Sequence, residues 1–351
     1  MRTLSMLLAV AALSLVATIG LAADPVQQLD PIQVVDLGLS IEDGAKAPVV
    51  SGLALGGSDG NWATCGDDHL VRIWDAAQGK VKKRFAGHAD WVRVVVFSPD
   101  GKMLVTAGDD RHVRFWDLTT GKLRYAVPTS GQTVNSLTFS PDGRILAVVG
   151  SGQDVWLIDT KERSIRQTLE APGTDNRAVV FSPDGSMLAV AGRSGKVRVW
   201  RISDAGQPYD LPAHTRRVRA LLFSCDSKTL VSAGDDRQVK LWDTQSWKLK
   251  ETLPARPGRI LSLAFCGKNC DCLAVGSSDN MIRVWELPSA HQIYNLVGHT
   301  GSIATLAWNP KNETLLSGSF DTTVRLWRIQ HESSPQKPVG EHSEVAALPN
   351  K

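Results

Sequence analysis

Long apolar runs are almost absent from this chain. Outside its first two dozen residues, no segment approaches the ~20 apolar residues needed to span a bilayer. Neither sign of charge dominates, with 39 Lys and Arg against 36 Asp and Glu. A general nucleic-acid binder would show a large basic excess, so that class is set aside. There is no P-loop, no His-Glu-x-x-His pair, no Gly-x-Ser-x-Gly elbow and no dinucleotide fingerprint. Gly192-Arg193-Ser194-Gly195-Lys196 comes nearest to a phosphate loop, but its spacing is wrong. Cysteine is scarce as well, and the five present are an odd number, which leaves at least one thiol free or paired elsewhere.

The exception to the missing apolar runs lies at the start. Met1-Arg2 precedes an apolar stretch from Leu4 to Leu21, followed by Ala22-Ala23-Asp24-Pro25. One positive charge, an apolar centre and small residues before a polar break describe a secretory signal peptide over residues 1–23. Gly20 and Ala22 suit the −3 and −1 positions of a cleavage site, with Ala23 as an alternative end. A retained anchor is the rival reading, weakened by the Ala, Ser, Thr and Gly that dilute the run. The expected location is therefore secreted or periplasmic.

What the chain has in plenty is one repeated phrase. Val71-Arg72-Ile73-Trp74-Asp75 returns as Val113-Arg114-Phe115-Trp116-Asp117 and then at Trp200, Trp242, Trp285 and Trp327. The spacings are 42, 42, 42, 42, 43 and 42 when Ile158 takes the third place. Seven copies at this period predict a closed all-β ring, a seven-bladed β-propeller of four-stranded antiparallel blades over residues 24–330. The second copy shows one blade clearly: Gly87-His88, a strand Val92 to Phe97, the turn Ser98-Pro99-Asp100-Gly101, then strands Met103 to Ala107, His112 to Asp117 and Lys122 to Val127. The seventh copy lacks its fourth strand, whereas Ile32 to Leu37 is a strand without a blade. That N-terminal strand is expected to complete blade seven and leave no open sheet edge. Residues 331–351, rich in Ser, Pro, Glu and Lys, read as a disordered tail.

The glycine-histidine opening, the Phe-Ser-Pro-Asp-Gly turn and the Trp-Asp ending resemble the WD-repeat β-propeller family over residues 31 to 329. With the lack of catalytic motifs, the resemblance implies a single-propeller, non-enzymatic interaction scaffold; together with the signal peptide, the expectation is a secreted member of bacterial origin, monomeric and without a cofactor. The resemblance also implies a buried relay from Trp through a hydroxyl and His to Asp. By position the full sets are His88, Thr106, Asp110 and Trp116; His214, Ser232, Asp236 and Trp242; and His299, Ser317, Asp321 and Trp327. An indole donates, a hydroxyl both donates and accepts, and a neutral imidazole can pass the chain on to a carboxylate. Three copies at equivalent positions argue for packing rather than Ser-His-Asp catalysis. Blade one keeps Thr64, Asp68 and Trp74 but has Lys46 at the His position. Repeats three, four and six carry Val148, Val190 and Val275 for the hydroxyl, with Ser130, Pro172 and Arg256 near the His position, and should be held by Phe139, Phe181 and Phe265.

Cys65 lies in an apolar strand and is expected to be a buried free thiol. Cys266, Cys270 and Cys272 cluster in one turn, with Cys225 in the equivalent turn of blade five. A Cys266–Cys272 bridge across the hairpin is the leading expectation, and a Cys-rich metal site is its rival. The pairs Asp67-Asp68, Asp109-Asp110 and Asp235-Asp236 invite a calcium reading, but the second Asp of each belongs to the relay. The informative surface is the face of the d–a and b–c loops. It gathers Arg177, Arg193, Arg216, Arg217, Arg219, Arg237, Arg256 and Arg259, continued on blade two by Trp91, Arg93 and Arg111. Arginine beside an aromatic anchor is an interface composition. The expected partner is a protein or peptide of acidic character, with an acidic polysaccharide also open and no nucleic acid. The competing reading is a solvated rim balanced by Asp67, Asp109, Asp175 and Asp235. An alternative of another class is a propeller enzyme, hydrolase or oxidoreductase, with its site at the central channel.

Overall fold

The computed structural model describes residues 26–37, 47–56, 60–76, 78–202, 207–254, 257–287 and 289–329. The signal-peptide segment, the 331–351 tail, Lys46 and Arg256 lie outside the described residues. Seven sheets follow one another along the chain, each built on a four-stranded antiparallel blade. Blade two runs from its inner strand Val92–Phe97 through Met103–Gly108 and His112–Asp117 to an outer strand Leu123–Pro128. The inner strands touch in sequence, and that of blade seven, Ile303–Asn309, touches that of blade one, Gly52–Leu55. This closes the ring.

The apolar residues are not gathered in one centre. Seven clusters of buried side chains each fill one gap between neighbouring blades, such as Val105, Phe115, Val134, Leu146 and Ile158 between blades two and three. A four-stranded blade cannot bury both faces alone, so each is stabilised by the next. The repeats that lack the relay follow the same rule: Val148, Val190 and Val275 are buried, and Ile158 fills the place of the Trp. Phe181 and Phe265 are buried too, while Phe139 packs against its cluster partly buried.

Strand β1 (Gln27–Leu29) and strand β2 (Gln33–Asp36) treat the ring differently. The second pairs antiparallel with Thr323–Arg328 and supplies the outer strand of blade seven, with Val35 and Leu37 in the gap to blade one. The first lies parallel to His291–Leu296 as a fifth strand on the edge of blade six. Its three residues show no strand pattern in the sequence.

The turns explain the recurring phrases. The Trp-Asp aspartates cap the next turn: Asp117 accepts a hydrogen bond from the Thr120 N–H at 2.8 Å and Asp243 from Ser246 N–H at 2.8 Å. Gly87, at φ 141°, faces the Trp116 ring, and a Cβ there would stand 3.3 Å from Cη2.

The cysteines correct the sequence reading. Cys266 and Cys272 are cross-strand neighbours, as expected of the hairpin, but both are free and fully buried among Ile303, Leu315 and Trp327. Burial pushes the Cys266 thiol well up, so it has no ready thiolate to react. The disulfide instead joins Cys225 to Cys270, linking the a–b turns of blades five and six. Cys65 is free and buried, and burial pushes its thiol up to about 12.

Candidate functional site

The three relay sets are assembled. Trp116 Nε1 donates to Thr106 Oγ1 at 2.8 Å, and His88 lies 2.7 Å from that hydroxyl and 2.8 Å from Asp110. In blade five the distances are 2.9 Å for Trp242 to Ser232, 2.8 Å for His214 to Ser232 and 2.9 Å for His214 to Asp236. In blade seven they are 2.8 Å for Trp327 to Ser317, 2.8 Å for His299 to Ser317 and 2.7 Å for His299 to Asp321. Blade one keeps the Trp74 to Thr64 bond at 2.8 Å. Thr106, Ser232 and Ser317 are wholly buried, out of a substrate's reach. Burial pushes the His88 and His214 imidazoles below their ordinary value, outweighing the aspartates beside them. Burial alone would raise the Asp110 carboxyl, but His88 and Arg114 bring it down to about 2.

Sequence reasoning missed one member of this network. Arg72 is only 2% exposed, yet it ion-pairs with Asp68 at 2.6 Å. Arg114 contacts Asp110 in the same way, and Arg283 meets Asp279 at 2.8 Å. The pattern recurs at Arg72, Arg114, Arg283 and Arg325, each two places before a Trp and four after an Asp, but it does not by itself show burial.

A second set of residues converges at the mouth of the central channel. In blades two to seven the register of the inner strand slips at one residue: Arg93, Asn135, Arg177, Arg219, Leu261 and Ala304. A β-bulge leaves one residue unpaired and re-aims its side chain. Here every bulged residue lines one open pocket of about 340 Å³, joined by Ser51 from blade one. The Gly that ends the second strand makes the bulge possible: a Cβ on Gly108, Gly150 or Gly234 would strike a backbone oxygen at 2.0, 1.8 or 2.1 Å.

The arginines divide into two groups. Arg93 forks onto Asp109 at 2.6 Å and lies over the Trp91 ring, 3.8 Å from its centroid. Arg219 forks onto Asp235 at 2.9 and 3.2 Å. Arg177 and Arg217 share Asp175 at 2.8 and 2.6 Å, and Arg177 also reaches Asn135 at 3.2 Å. These four are half-buried and fixed in place. Arg193, Arg216, Arg237 and Arg259 are exposed. Arg259 lines the pocket, and its guanidinium has no ion pair among the described residues. Trp91 is not an exposed anchor: it is half-buried beneath Arg93, with its Nε1 buried and unpartnered among the described residues. Asp109 and Asp235 are held by arginine, and the described residues contain no cluster of three or more metal-ligating side chains.

A family model described as WD domain, G-beta repeat matches residues 40–75, 79–117, 121–159, 164–201, 207–243, 247–286 and 290–328. Among similar proteins, Periodic tryptophan protein 2 of Saccharomyces cerevisiae is 35% identical over 88 residues, 22% of this chain and 10% of that protein. Protein FIZZY-RELATED 3 of Arabidopsis thaliana is 34% identical over 64 residues, 18% of this chain and 13% of that protein. The WD repeat-containing protein WDS homolog of the same plant is 34% identical over 76 residues, 21% of this chain and 14% of that protein. The matched stretches thus span well under a fifth of each of these relatives.

Proposed function

The chain belongs to the WD domain, G-beta repeat family, and from that premise we propose that it is a secreted, non-enzymatic interaction module that receives an acidic protein partner on its arginine-rich face. The observation that carries this reading is the convergence of Arg93, Arg177, Arg219 and Arg259 on one pocket at the channel mouth. Guanidinium groups already oriented by aspartates lose little freedom on meeting a carboxylate. The exposed Arg193, Arg216 and Arg237 widen the positive field around the mouth and speed encounter with an anion. The enzyme alternative needs a free acid–base pair at the channel, and the carboxylates around the mouth are tied to arginines instead. Export is supported by the apolar run at residues 4–21 and by the Cys225–Cys270 disulfide, a bond that persists in oxidising compartments.

The test is fluorescence anisotropy of a labelled glutamate-rich peptide with the full chain. Binding is expected to weaken steeply between ~50 and ~300 mM salt as screening shortens to under ~10 Å. Arg259→Glu, at an exposed site, should remove most of it with unfolding unchanged. Affinity that ignores both salt and that reversal would reject the site.

A further inference from the structure

The pocket at the mouth has two unlike halves. Blades two to five give it Arg93, Arg177 and Arg219, and Arg259 opens blade six. The remainder is lined by Leu261, Ala304 and Phe320 together with small hydroxyl residues. Phe320 is 46% exposed, and it stands in the b–c turn at the place where blades two and five carry Asp109 and Asp235. A large apolar ring therefore replaces, on one side, the carboxylates that neutralise arginines on the other.

The charge balance is modest. Five guanidinium groups, Arg93, Arg177, Arg217, Arg219 and Arg259, stand with three carboxylates, Asp109, Asp175 and Asp235, a surplus of two positive charges. Three of the arginines lining the pocket are engaged by those carboxylates and Arg259 is not, so the arrangement has room for one more anionic group. At about 340 Å³ the pocket lies near the lower end of ligand sites, ~300–1,000 Å³. That is space for a pair of side chains, not for a folded element.

We propose that the mouth receives an extended segment of a partner protein in which a single carboxylate sits beside a bulky apolar side chain. The carboxylate meets Arg259 and the free edges of Arg177 and Arg219, while the apolar side chain rests on Phe320 and Leu261. This rests on the acidic-partner reading above and narrows it. A polyanion would satisfy the arginines but leave the apolar half uncovered, gaining nothing from the area that an apolar group would bury.

The experiment is an array of octapeptides in a Gly-Ser background, probed with the full chain at ~150 mM salt. One set pairs an Asp or Glu with an adjacent Leu, Phe or Trp; others carry the acid alone, the apolar residue alone, or eight glutamates. The paired set is expected to bind at least ten-fold more tightly than every other set. Phe320→Ser should erase that advantage and leave the weak all-glutamate signal, whereas Arg259→Glu should abolish both. All-glutamate peptides binding as well as the paired set, with Arg259 dependence, would overturn the narrower proposal and leave the acidic-partner reading standing. Binding of any set that ignores Arg259→Glu would overturn both.

Discussion

Trp242 spends its only polar atom on the Ser232 hydroxyl, which His214 also contacts. Phe at this position keeps the apolar volume but removes one of the two partners of a buried hydroxyl, at a cost of about 1–3 kcal/mol. Chemical denaturation of Trp242→Phe should show that loss; unchanged stability would mean that the bond contributes nothing. The same network makes stability depend on pH. His88 and His214 are held below their ordinary value by burial, so the native ring keeps them neutral where the unfolded chain protonates them. Their contribution is full above about pH 6.5, the unfolded value, and is lost as pH falls from there toward the native values. The melting temperature at pH 5.0 should lie below that at pH 7.5, and a His88→Asn, His214→Asn double variant should show a smaller drop. A flat profile in the native chain would contradict this. The relay was legible because each member belongs to a recurring phrase. Arg72 was not, because an arginine in a strand reads as exposed and only the fold reveals its burial against Asp68.

Among the elements, the turns that meet between blades show how the ring is fastened. Pro99 lies against Gly143, where a Cβ would stand 3.5 Å away, and Pro141 lies against Gly185 at 3.6 Å. Between blades four and five the Asp184 N–H donates to Ser227 Oγ at 3.2 Å. Counting by repeats, Cys225 occupies the proline place and Cys270 the glycine place, so their disulfide replaces a packing contact with a covalent one. It closes a 45-residue separation, and its reduction should cost about 2–4 kcal/mol. Thermal unfolding with and without reductant checks this, and Cys225→Pro with Cys270→Gly should restore part of the loss. Equal melting in both conditions would contradict it. This pairing was hidden because its partners are distant in sequence and meet only where the turns of adjacent blades pack. The final strand of blade seven was readable, since a strand of Val and Leu stood without a blade. The fifth strand on blade six was not, because Gln27-Gln28-Leu29 carries no alternation.

On the scale of the whole molecule, the repeat fixes seven equivalent positions and the sequence then writes something different at each. The aligned repeats already bring these residues to the channel mouth, a backbone bulge aims them into it, and their identities set the character of the pocket. The arginine-rich face could be read from the aligned repeats; its division into clamped, half-buried arginines and free, exposed ones could not, because that depends on which aspartates the turns deliver. Hydrogen exchange of the full chain, with and without the tightest-binding octapeptide, locates the contact directly. Protection is expected at residues 91–93, 175–177, 217–219 and 257–261 around the mouth, with the a–b turns unchanged. Protection at the a–b turns or along the outer strands, with the mouth unaffected, would contradict the assignment.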